Sequence, residues 1–452
     1  MKKIVLLTVI LLGLFISCDD DESVKGHNME KISRMNIQDA TTLFIAPANF
    51  AQIQSTRSAS DGSNVLFLIT KDGIIKQVSY LDENGKEITA KLEPTLVLPI
   101  EDSNYFFVQF VNSLTYLVNE KTGAVYETPG IPLDEGGDGI MNYINDNNIK
   151  IDANGNIYYL KSSRVYKIDI TDGNNVTEES LTPESDEVSM YMVSNAGDLY
   201  YRYYRDGYLA RLRNTSGKLF PFSPSDDGFF YPSRESIAFN GFDGNIHVLD
   251  RRALYAINFT NDGSYETTDI LWDDCSDDKW RYGNLGGVHG MGWSENGFYY
   301  HFCLSNTVYD MVRECYLIKL HDRYLLISCG GNAMVVDSKD DSSLFEMAVH
   351  DVTGGMMISQ LEYNDSYVYC CGRNGNNYSL LRINPYTYES EPLVRDNDYE
   401  IYSFTVLDDN TIIFNGLRLS DGKIIIANID NNGQVKVIKE TGNTKVTLHR
   451  IQ

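Results

Sequence analysis

A strand–turn–strand unit recurs along almost the whole chain, and it restricts the possible folds more than any other feature. The unit is clearest in residues 148–170, where Asn154-Gly155 separates two short runs of alternating apolar and polar residues and a third run follows. Asn-Gly between such runs is the strongest short-range signal of a β-hairpin, because both turn residues adopt positive φ angles. We therefore predict short antiparallel strands joined by tight turns.

The unit appears eight times at a nearly regular distance. Its first turns fall near residues 62, 103, 155, 197, 244, 297, 365 and 409, and the widest gap, 68 residues, separates 297 from 365. Self-similarity at this period, with several strands per repeat, indicates a β-propeller. We predict eight four-stranded antiparallel blades, or seven if one unit is partial, with an insertion in the unit near 297.

The remaining pattern favours one all-β domain over residues 40–452. No long apolar period of 3.6 residues occurs in this range, so we expect little helix. No convincing linker divides it, although a pair of β-sandwiches is a competing architecture. The repeats carry none of the short motifs that mark named propeller classes.

The N-terminal segment has the layout of an export signal. Two lysines precede a 13-residue apolar core, residues 4–16, which is too short for an ordinary membrane-spanning helix of about 20 residues. Ser17-Cys18 follows, and the stretch resembles a bacterial lipobox, with Phe15 in place of the usual Leu. The resemblance implies that Cys18 is acylated and begins the mature chain. An ordinary signal peptide with an incidental cysteine is the alternative.

Four acidic residues directly follow this cysteine: Asp19, Asp20, Asp21 and Glu22. This arrangement resembles surface lipoproteins of the Bacteroidota type, and the resemblance implies an outer-membrane lipoprotein that faces the cell exterior. We accordingly predict a signal peptide at 1–17, an acidic flexible tether at 18–39 and the propeller at 40–452. The lipid would then be the contact with the membrane.

The charge of the chain argues against one class of partner. With 63 acidic and 38 basic residues, the formal net charge is −25 at pH 7. Such a field repels the phosphate backbone of nucleic acids and anionic lipid. We expect no nucleic-acid partner and interpret the acidic surface mainly as a solubilising one.

Beyond Cys18 the chain has six cysteines: Cys275, Cys303, Cys315, Cys329, Cys370 and Cys371. Their spacing contains no CxxC pair, so we expect no structural zinc site. Cys370 and Cys371 are neighbours in a predicted strand, where side chains alternate between the two faces. We expect buried free thiols, with one disulfide among Cys303, Cys315 and Cys329 as the alternative. The spacing does not define a pairing.

Residues 269–293 form the richest candidate for a ligand site. The segment contains Trp272, Trp280, Arg281, Tyr282, His289 and Trp293, together with several aspartates. Aromatic rings beside carboxylates suit a sugar, whose C–H face stacks while its hydroxyls form hydrogen bonds. The alternative is that the tryptophans pack between blades and that the acidic stretch is a solvated loop.

Histidines supply the other candidate chemistry. His289 lies among glycines just before the predicted turn at 297, so it could line the channel as a general base or a metal ligand. His247, His301 and His350 lie in other units, and a structural role is favoured for each. Residues 152–156 begin like a calcium loop but lack its closing glutamate, so we interpret them as a hairpin turn.

These observations favour binding over catalysis. The sequence contains neither a GxSxG nor an HExxH motif, and no segment indicates a cofactor. The leading hypothesis is a binding or scaffold protein at the outer membrane, for a glycan or for a protein partner in nutrient uptake. A glycan hydrolase or lyase with its site at the channel mouth is the first alternative. A purely structural protein-interaction module is the second.

Overall fold

The structure is a computed structural model. It describes residues 32–52, 63–88, 92–100, 103–111, 114–128, 149–170, 177–205, 209–214, 219–220, 237–249, 253–259, 265–272, 292–294, 297–299, 315–339, 350–394 and 397–451. In this part of the chain nearly all regular structure is β-strand, with one short 3-10 helix at Ala48–Gln52. The lipidation candidate Cys18 and the acidic residues 19–22 lie outside the described ranges.

Eight four-stranded antiparallel sheets form the blades of a β-propeller, as the sequence predicts. We number the strands of each blade from the ring axis outward. Blade 1 comprises His449–Arg450, Ala40–Pro47, Asn64–Thr70 and Ile75–Gln77; blade 2, Pro94–Pro99, Tyr105–Phe110, Thr115–Asn119 and Val125–Thr128; blade 3, Ile149–Ile151, Ile157–Lys161, Arg164–Asp169 and Thr177–Ser180; blade 4, Glu187–Val193, Leu199–Arg205, Leu209–Asn214 and Leu219–Phe220.

The second half of the ring follows the same plan. Blade 5 comprises Ile237–Asn240, Ile246–Leu249, Ala253–Phe259 and Tyr265–Trp272; blade 6, Cys315–Lys319, Arg323–Ser328, Asn332–Ser338 and His350–Asp351; blade 7, Met357–Tyr363, Val368–Asn374, Asn377–Ile383 and Ser390–Pro392; blade 8, Tyr399–Val406, Ile412–Arg418, Lys423–Ile429 and Val435–Gly442. Two smaller sheets accompany the blades: Arg34–Met35 with Tyr80–Leu81 and Glu87–Ile88, and a hairpin of Gly292–Ser294 and Gly297–Tyr299.

Contacts between blades define the radial order. The first strands of blades 3, 4 and 5 contact one another in turn, as do those of blades 7, 8, 1 and 2. Fourth strands lie at the rim, and Ser390–Pro392 is exposed along its whole length. The first strands therefore surround the central channel. The ring closes where Arg450 and His449, near the C-terminus, pair with Thr42 and Leu43.

The core lies between blades, because every sheet packs both of its faces against neighbours. In the second strand of blade 7, Val368 and Cys370 pack towards blade 6, whereas Tyr369 and Cys371 pack towards blade 8. This alternation confirms the prediction that the adjacent cysteines point to opposite faces. Cys370 and Cys371 are free, buried thiols.

The remaining cysteines are only partly within the described chain. Cys329 is buried directly after the second strand of blade 6, and Cys315 begins the first strand of that blade. Cys275 and Cys303 lie outside the described residues. The alternative of one disulfide among Cys303, Cys315 and Cys329 therefore stays a prediction.

The number of blades is as predicted, but one unit is not where the sequence indicates. The turn near 297 belongs to a two-stranded hairpin, and a complete blade, blade 6, occupies 315–351 within the predicted insertion. Tyr324 of blade 6 packs directly on Phe239 of blade 5, with ring centroids 4.6 Å apart, and donates a hydrogen bond to the Asn240 carbonyl at 2.9 Å. Blade 6 escapes sequence analysis because its first turn, residues 320–322, contains neither Gly nor Asn.

The ring includes residues upstream of the predicted boundary at 40. Ile32, Met35 and Ile37 are buried in the core between blades 1 and 2. The Met35 N–H donates to the Gly123 carbonyl of blade 2 at 2.8 Å, while Arg34–Met35 pairs with Tyr80–Leu81 beside blade 1. Residues 32–39 thus form a strap across two blades rather than free tether.

The turn at 152–156 is a hairpin turn, as predicted. Oδ1 of Asp152 accepts hydrogen bonds from the backbone N–H groups of Asn154 (2.8 Å) and Asn156 (3.0 Å), and Gly155 has a φ of 83°. The Tyr158 hydroxyl donates to Oδ2 of Asp152 at 3.0 Å. The carboxylate therefore organises the turn, and its lone pairs are used by protein donors.

Candidate functional site

A carboxyl group on the channel side of blade 7 is the most perturbed acid of the channel wall among the described residues. Glu362 lies in the first strand, deep in the molecule yet partly accessible to solvent. Oε2 accepts hydrogen bonds from the Val406 N–H (3.2 Å) and the Thr405 hydroxyl (3.3 Å) of blade 8, and Oε1 accepts from Gln360 (3.5 Å). Burial raises the pKa of Glu362 to about 7, although the hydrogen bond from Val406 opposes this shift.

Gln360, two residues earlier on the same strand, forms a reciprocal pair with the next blade. Its Nε2 donates to the Phe404 carbonyl at 2.7 Å, and the Phe404 N–H donates to its Oε1 at 3.1 Å. First strands of neighbouring blades do not share a hydrogen-bond ladder, so their facing backbone groups need other partners. Gln360 and Glu362 supply those partners between blades 7 and 8.

The closing strand in blade 1 brings two further titratable groups to this side of the ring. Burial lowers the pKa of His449 to about 4, so its imidazole is neutral at pH 7. The Arg450 guanidinium forms an ion pair with Asp408 of blade 8, and its charge also lowers the pKa of Glu362. Blades 7, 8 and 1 therefore place an acid with a near-neutral pKa, a neutral imidazole and a guanidinium on one arc of the channel wall.

The opposite arc, formed by blades 3 to 5, carries an ammonium group. Lys150 lies in the middle of the first strand of blade 3, and its Nζ donates to the Ala238 carbonyl of blade 5 at 3.1 Å. The side chain thus passes the intervening blade 4. Asn240 of blade 5 donates to the Val193 carbonyl of blade 4 at 3.1 Å. As blade 3 stands opposite blade 7 in a ring of eight, Lys150 and Glu362 lie on opposite sides of the channel.

A small cavity accompanies the Lys150 arc. It measures about 40 Å³ and lies between the first strands of blades 3, 4 and 5, with Lys150, Met192 and Asn240 in its lining. A space of this size accommodates roughly one or two waters. Oδ1 of Asn240 is buried there without a hydrogen-bond partner. The cavity itself is therefore too small for a whole sugar.

The hydrogen bonds that Glu362 already forms limit the reactions in which its carboxyl group can take part. A carboxyl group with a pKa of about 7 can donate or accept a proton at neutral pH. In Glu362, however, both oxygens accept hydrogen bonds from protein groups of blades 7 and 8. The geometry favours a role in fixing the spacing of blades over a role as a proton-transfer group.

The structure describes the backbone at two of the six predicted ligand residues. Trp272 is the last residue of the fourth strand of blade 5, where it pairs with Ala253. Trp293 pairs with Phe298 in the hairpin between blades 5 and 6. Trp280, Arg281, Tyr282 and His289 lie outside the described residues, so the predicted site as a whole stays a prediction.

The other histidines occupy separate environments. Nε2 of His247, buried in blade 5, lies 3.0 Å from Oδ1 of Asp243, and its Nδ1 lies 4.0 Å from Oδ2 of Asp337 in blade 6. His350, in the fourth strand of blade 6, stacks on Tyr388 of blade 7 at 3.8 Å. His301 lies outside the described ranges. His247 and His350 do not converge on one site.

Sequence reasoning missed the polar residues of the channel wall. Gln360 and Glu362 alternate with apolar residues in the strand Met357–Tyr363, which is the ordinary pattern of a half-buried strand. Nothing in this pattern separates a channel-facing carboxylate from a solvent-facing one. Only the knowledge that residues 357–363 form the first strand of a blade would have indicated that Glu362 lies beside the channel.

The described residues contain neither a membrane-spanning helix nor a cluster of metal ligands. Within the described ranges, no helix is both long and apolar enough to span a bilayer. The same residues contain no group of three or more His, Cys, Asp or Glu side chains arranged to hold a metal ion.

Comparison with known proteins finds similar solved structures but no family. No family model matches the sequence, and no curated protein matches it. Among solved structures, apo AztD from Citrobacter koseri is 11% identical over 91% of this chain and 98% of that chain, with a TM-score of 0.46. Virginiamycin B lyase from Staphylococcus aureus is 12% identical over 66% of this chain and 86% of that chain, with a TM-score of 0.31.

A third similar structure is the extracellular domain of a one-component system from B. thetaiotaomicron. It is 10% identical over 85% of this chain and 60% of that chain, with a TM-score of 0.25. At identities and TM-scores this low, none of these similarities bears on what this chain does. The chain is a β-propeller of eight four-stranded blades.

Proposed function

We propose that this protein is a lipid-anchored propeller on the outer surface of a bacterial outer membrane, where it binds a ligand or partner without converting it. One observation carries the non-catalytic part of the proposal. The acid and amide of the Glu362 arc, which a catalytic site would need to direct at substrate, bind instead to the backbone and hydroxyl groups of blade 8. Such a wall serves as a rigid frame.

The distance from anchor to ring fits a surface protein. Thirteen residues separate Cys18 from Ile32, which is the first described residue and packs on the ring. Fully extended, a segment of this length reaches about 45 Å. The four acidic residues that follow Cys18 would repel anionic headgroups. The ring could therefore stand clear of the membrane while its N-terminal lipid remains inserted.

We favour a glycan as the ligand, with an outer-membrane protein of a nutrient-uptake system as the other partner class. The net charge of −25 disfavours polyanionic ligands. Sugars are recognised by aromatic rings beside carboxylates and amides, and residues 269–293 are rich in such side chains. The link between surface lipoproteins of this type and glycans is an association rather than a property of this site.

A glycan hydrolase or lyase is the second candidate function, and one observation favours it. Glu362 has a pKa of about 7, which is the range in which a carboxylic acid donates protons efficiently at neutral pH. This function would require the carboxyl group to exchange its protein partners for a substrate. A structural module that only binds another protein is the third candidate.

A single screen separates the three candidates. The mature protein would be incubated with neutral oligosaccharides of glucose, mannose, xylose and galactose, and both binding and released products would be measured. Binding without products supports the proposal. Product formation that Glu362→Gln abolishes supports the enzyme and overturns the proposal. If neither occurs, the protein-interaction module remains.

The proposed location on the cell surface requires a separate experiment. We expect Cys18→Ser to remove the acyl mass from the mature chain and to release the protein from the membrane fraction. Protease added to intact cells should cleave the wild-type protein while a periplasmic control survives. If the protein survives as well, it does not face the exterior.

A further inference from the structure

An exposed tyrosine stands at the seam between blades 6 and 7. Tyr386 lies in the turn between the third and fourth strands of blade 7, and 41% of its surface is exposed. The Arg323 guanidinium of blade 6 lies 4.3 Å from the centroid of its ring, and its hydroxyl donates to Oδ1 of Asp322 at 3.2 Å. The side chain is therefore held in place from the neighbouring blade although it faces solvent.

The turn that carries Tyr386 is itself rigid. Oδ1 of Asn384 accepts hydrogen bonds from the N–H groups of Tyr386 (2.8 Å) and Thr387 (3.1 Å). Tyr388 has a φ of 62°, a left-handed conformation that costs free energy for a bulky residue. Its ring lies flat on His350 of blade 6, 3.8 Å away at an interplanar angle of 9°. Strain retained by such contacts is a common mark of a binding surface.

The arrangement matches the way proteins bind sugars. Because Arg323 covers one face of the Tyr386 ring, the exposed area belongs mainly to the other face and the free edge. A sugar can stack its C–H face there. At the hydroxyl edge of the ring, the partly exposed carboxylate of Asp322 can accept hydrogen bonds from the hydroxyl groups of a stacked sugar, while Arg323 holds the ring from its other face. A ring fixed before binding also reduces the entropy that binding costs.

The surroundings favour a glycan over a protein partner. The other exposed large apolar side chains of the described chain are Ile74, Val111, Met357, Leu419 and Val437, and they are scattered over other blades or the other end of blade 7. Tyr386 is therefore not the centre of a continuous apolar patch, which a stable protein interface usually has. Its neighbours are charged groups, which suit a hydroxylated ligand.

We propose that Tyr386, with Asp322 and Arg323, forms a stacking subsite for a neutral glycan at the seam of blades 6 and 7. The proposal rests on the glycan ligand proposed above and assigns it a place in the described structure. The site lies on the face of the ring that carries the turns between first and second strands and between third and fourth strands. Its residues are not part of the Trp-rich segment 269–293.

The test measures glycan affinity for the full mature chain by calorimetry. The probes are neutral hexasaccharides of glucose, mannose, xylose and galactose, with oligogalacturonate as the acidic comparison. Tyr386→Ala should weaken binding of the recognised neutral probe by at least about tenfold, as expected for loss of one aromatic stacking contact. Tyr386→Phe keeps the ring and should lose less than about threefold.

A matched control is Ile74→Ala, which removes an exposed apolar side chain from the equivalent turn of blade 1 and should leave affinity unchanged. Circular dichroism would establish that each variant is folded. If the wild-type protein binds a probe and Tyr386→Ala binds it equally well, the subsite is wrong while the glycan function stands. If the wild-type protein binds none of the neutral probes, both the glycan ligand and this subsite are wrong.

Discussion

The backbone N–H of Val406 donates to Oε2 of Glu362 over 3.2 Å, and this bond joins the first strands of two neighbouring blades. In this position the pKa of Glu362 rises from 4.5 to about 7 because the carboxylate is buried. The folded protein thus binds the proton more tightly than the unfolded chain. The associated stability is complete below pH 4.5 and is lost as the pH rises through 7.

Glu362→Gln should therefore flatten the pH dependence of stability. We expect the wild-type free energy of unfolding to fall by up to about 3 kcal/mol between pH 4.5 and 8 on account of this group. The variant, which has no titrating carboxyl group there, should lose correspondingly less. Urea unfolding at half-unit pH steps measures both curves. Parallel curves for the two proteins would contradict the assignment.

Glu178 provides the matched control. It lies in the fourth strand of blade 3, burial raises its pKa to about 7, and its Oε1 is buried without a hydrogen-bond partner. Glu178→Gln should flatten the pH dependence in the same direction. Since Glu178 lies away from the channel wall, its replacement should leave ligand binding and any product release unchanged.

Gly197→Ala should destabilise the seam between blades 3 and 4. A Cβ atom there would lie 2.9 Å from Oδ2 of Asp152 and 3.1 Å from the Tyr158 hydroxyl, and the φ of 87° disfavours a side chain. We expect a loss of roughly 2–4 kcal/mol from backbone strain and disruption of the Asp152 turn. Gly244→Ala shares a positive φ of 85° but has open space around the new atom. It should cost only about 1 kcal/mol. Equal losses of stability for the two variants in thermal unfolding would show that the close contacts at position 197 do not contribute to the destabilisation.

Asp337→Ala should weaken the contact between blades 5 and 6. Oδ2 of Asp337 accepts from the Phe242 N–H of blade 5 at 2.8 Å, and Oδ1 accepts from the Ser338 N–H at 2.9 Å. The side chain is only 3% exposed, so water cannot readily replace these bonds. We expect a loss of roughly 2 kcal/mol in chemical unfolding, after allowing for the removal of a buried charge.

Asp351 offers a control in the same blade. Its Oδ1 also accepts two backbone hydrogen bonds, from Thr353 (3.0 Å) and Gly354 (2.8 Å), but the residue is exposed. Asp351→Ala should cost less than about 1 kcal/mol because water can take over. A loss for Asp351→Ala that matches the loss for Asp337→Ala would argue against direct packing of blade 5 on blade 6.

Removal of residues 449–452 should open the ring. These residues contain the strand that pairs with Thr42 and Leu43, and the buried Ile451, whose N–H donates to the Thr41 carbonyl at 3.1 Å. Loss of this strand leaves blade 1 with three strands. We expect at least about 3 kcal/mol of destabilisation and a less cooperative transition. Arg450→Ala keeps the strand and removes only its ion pair with Asp408, so it should cost less than about 1 kcal/mol.

Much of the fold could be predicted from local patterns. The turn at Asn154-Gly155 and the alternation at Cys370 and Cys371 are each specified by a few consecutive residues, because hairpin turns and strand periodicity are local properties. Blade 6 was missed for the same reason. Its first turn, 320–322, has no Gly or Asn, whereas the minor hairpin around Gly297 has a strong turn signal.

The candidate sites depend on residues far apart in the chain. Glu362 binds Val406, and Tyr386 is held by Asp322 and Arg323, across 44, 64 and 63 positions respectively. The candidate site predicted from the sequence, residues 269–293, rested on a local concentration of aromatic and acidic residues. Local composition does not show which blades will be neighbours. Four of the six residues predicted there lie outside the described chain, so the two proposals do not compete.

The sequence by itself determined the strand period and the repeated strand–turn–strand units that indicate a propeller, because strand alternation and tight turns are local properties of the chain. Only the tertiary structure decided which strands are neighbours. It paired His449–Arg450 with Ala40–Pro47, placed blade 6 directly beside blade 5, and brought Lys150 and Glu362 to opposite sides of one channel. These relationships join groups from tens to hundreds of residues apart, and they leave no local mark on the chain.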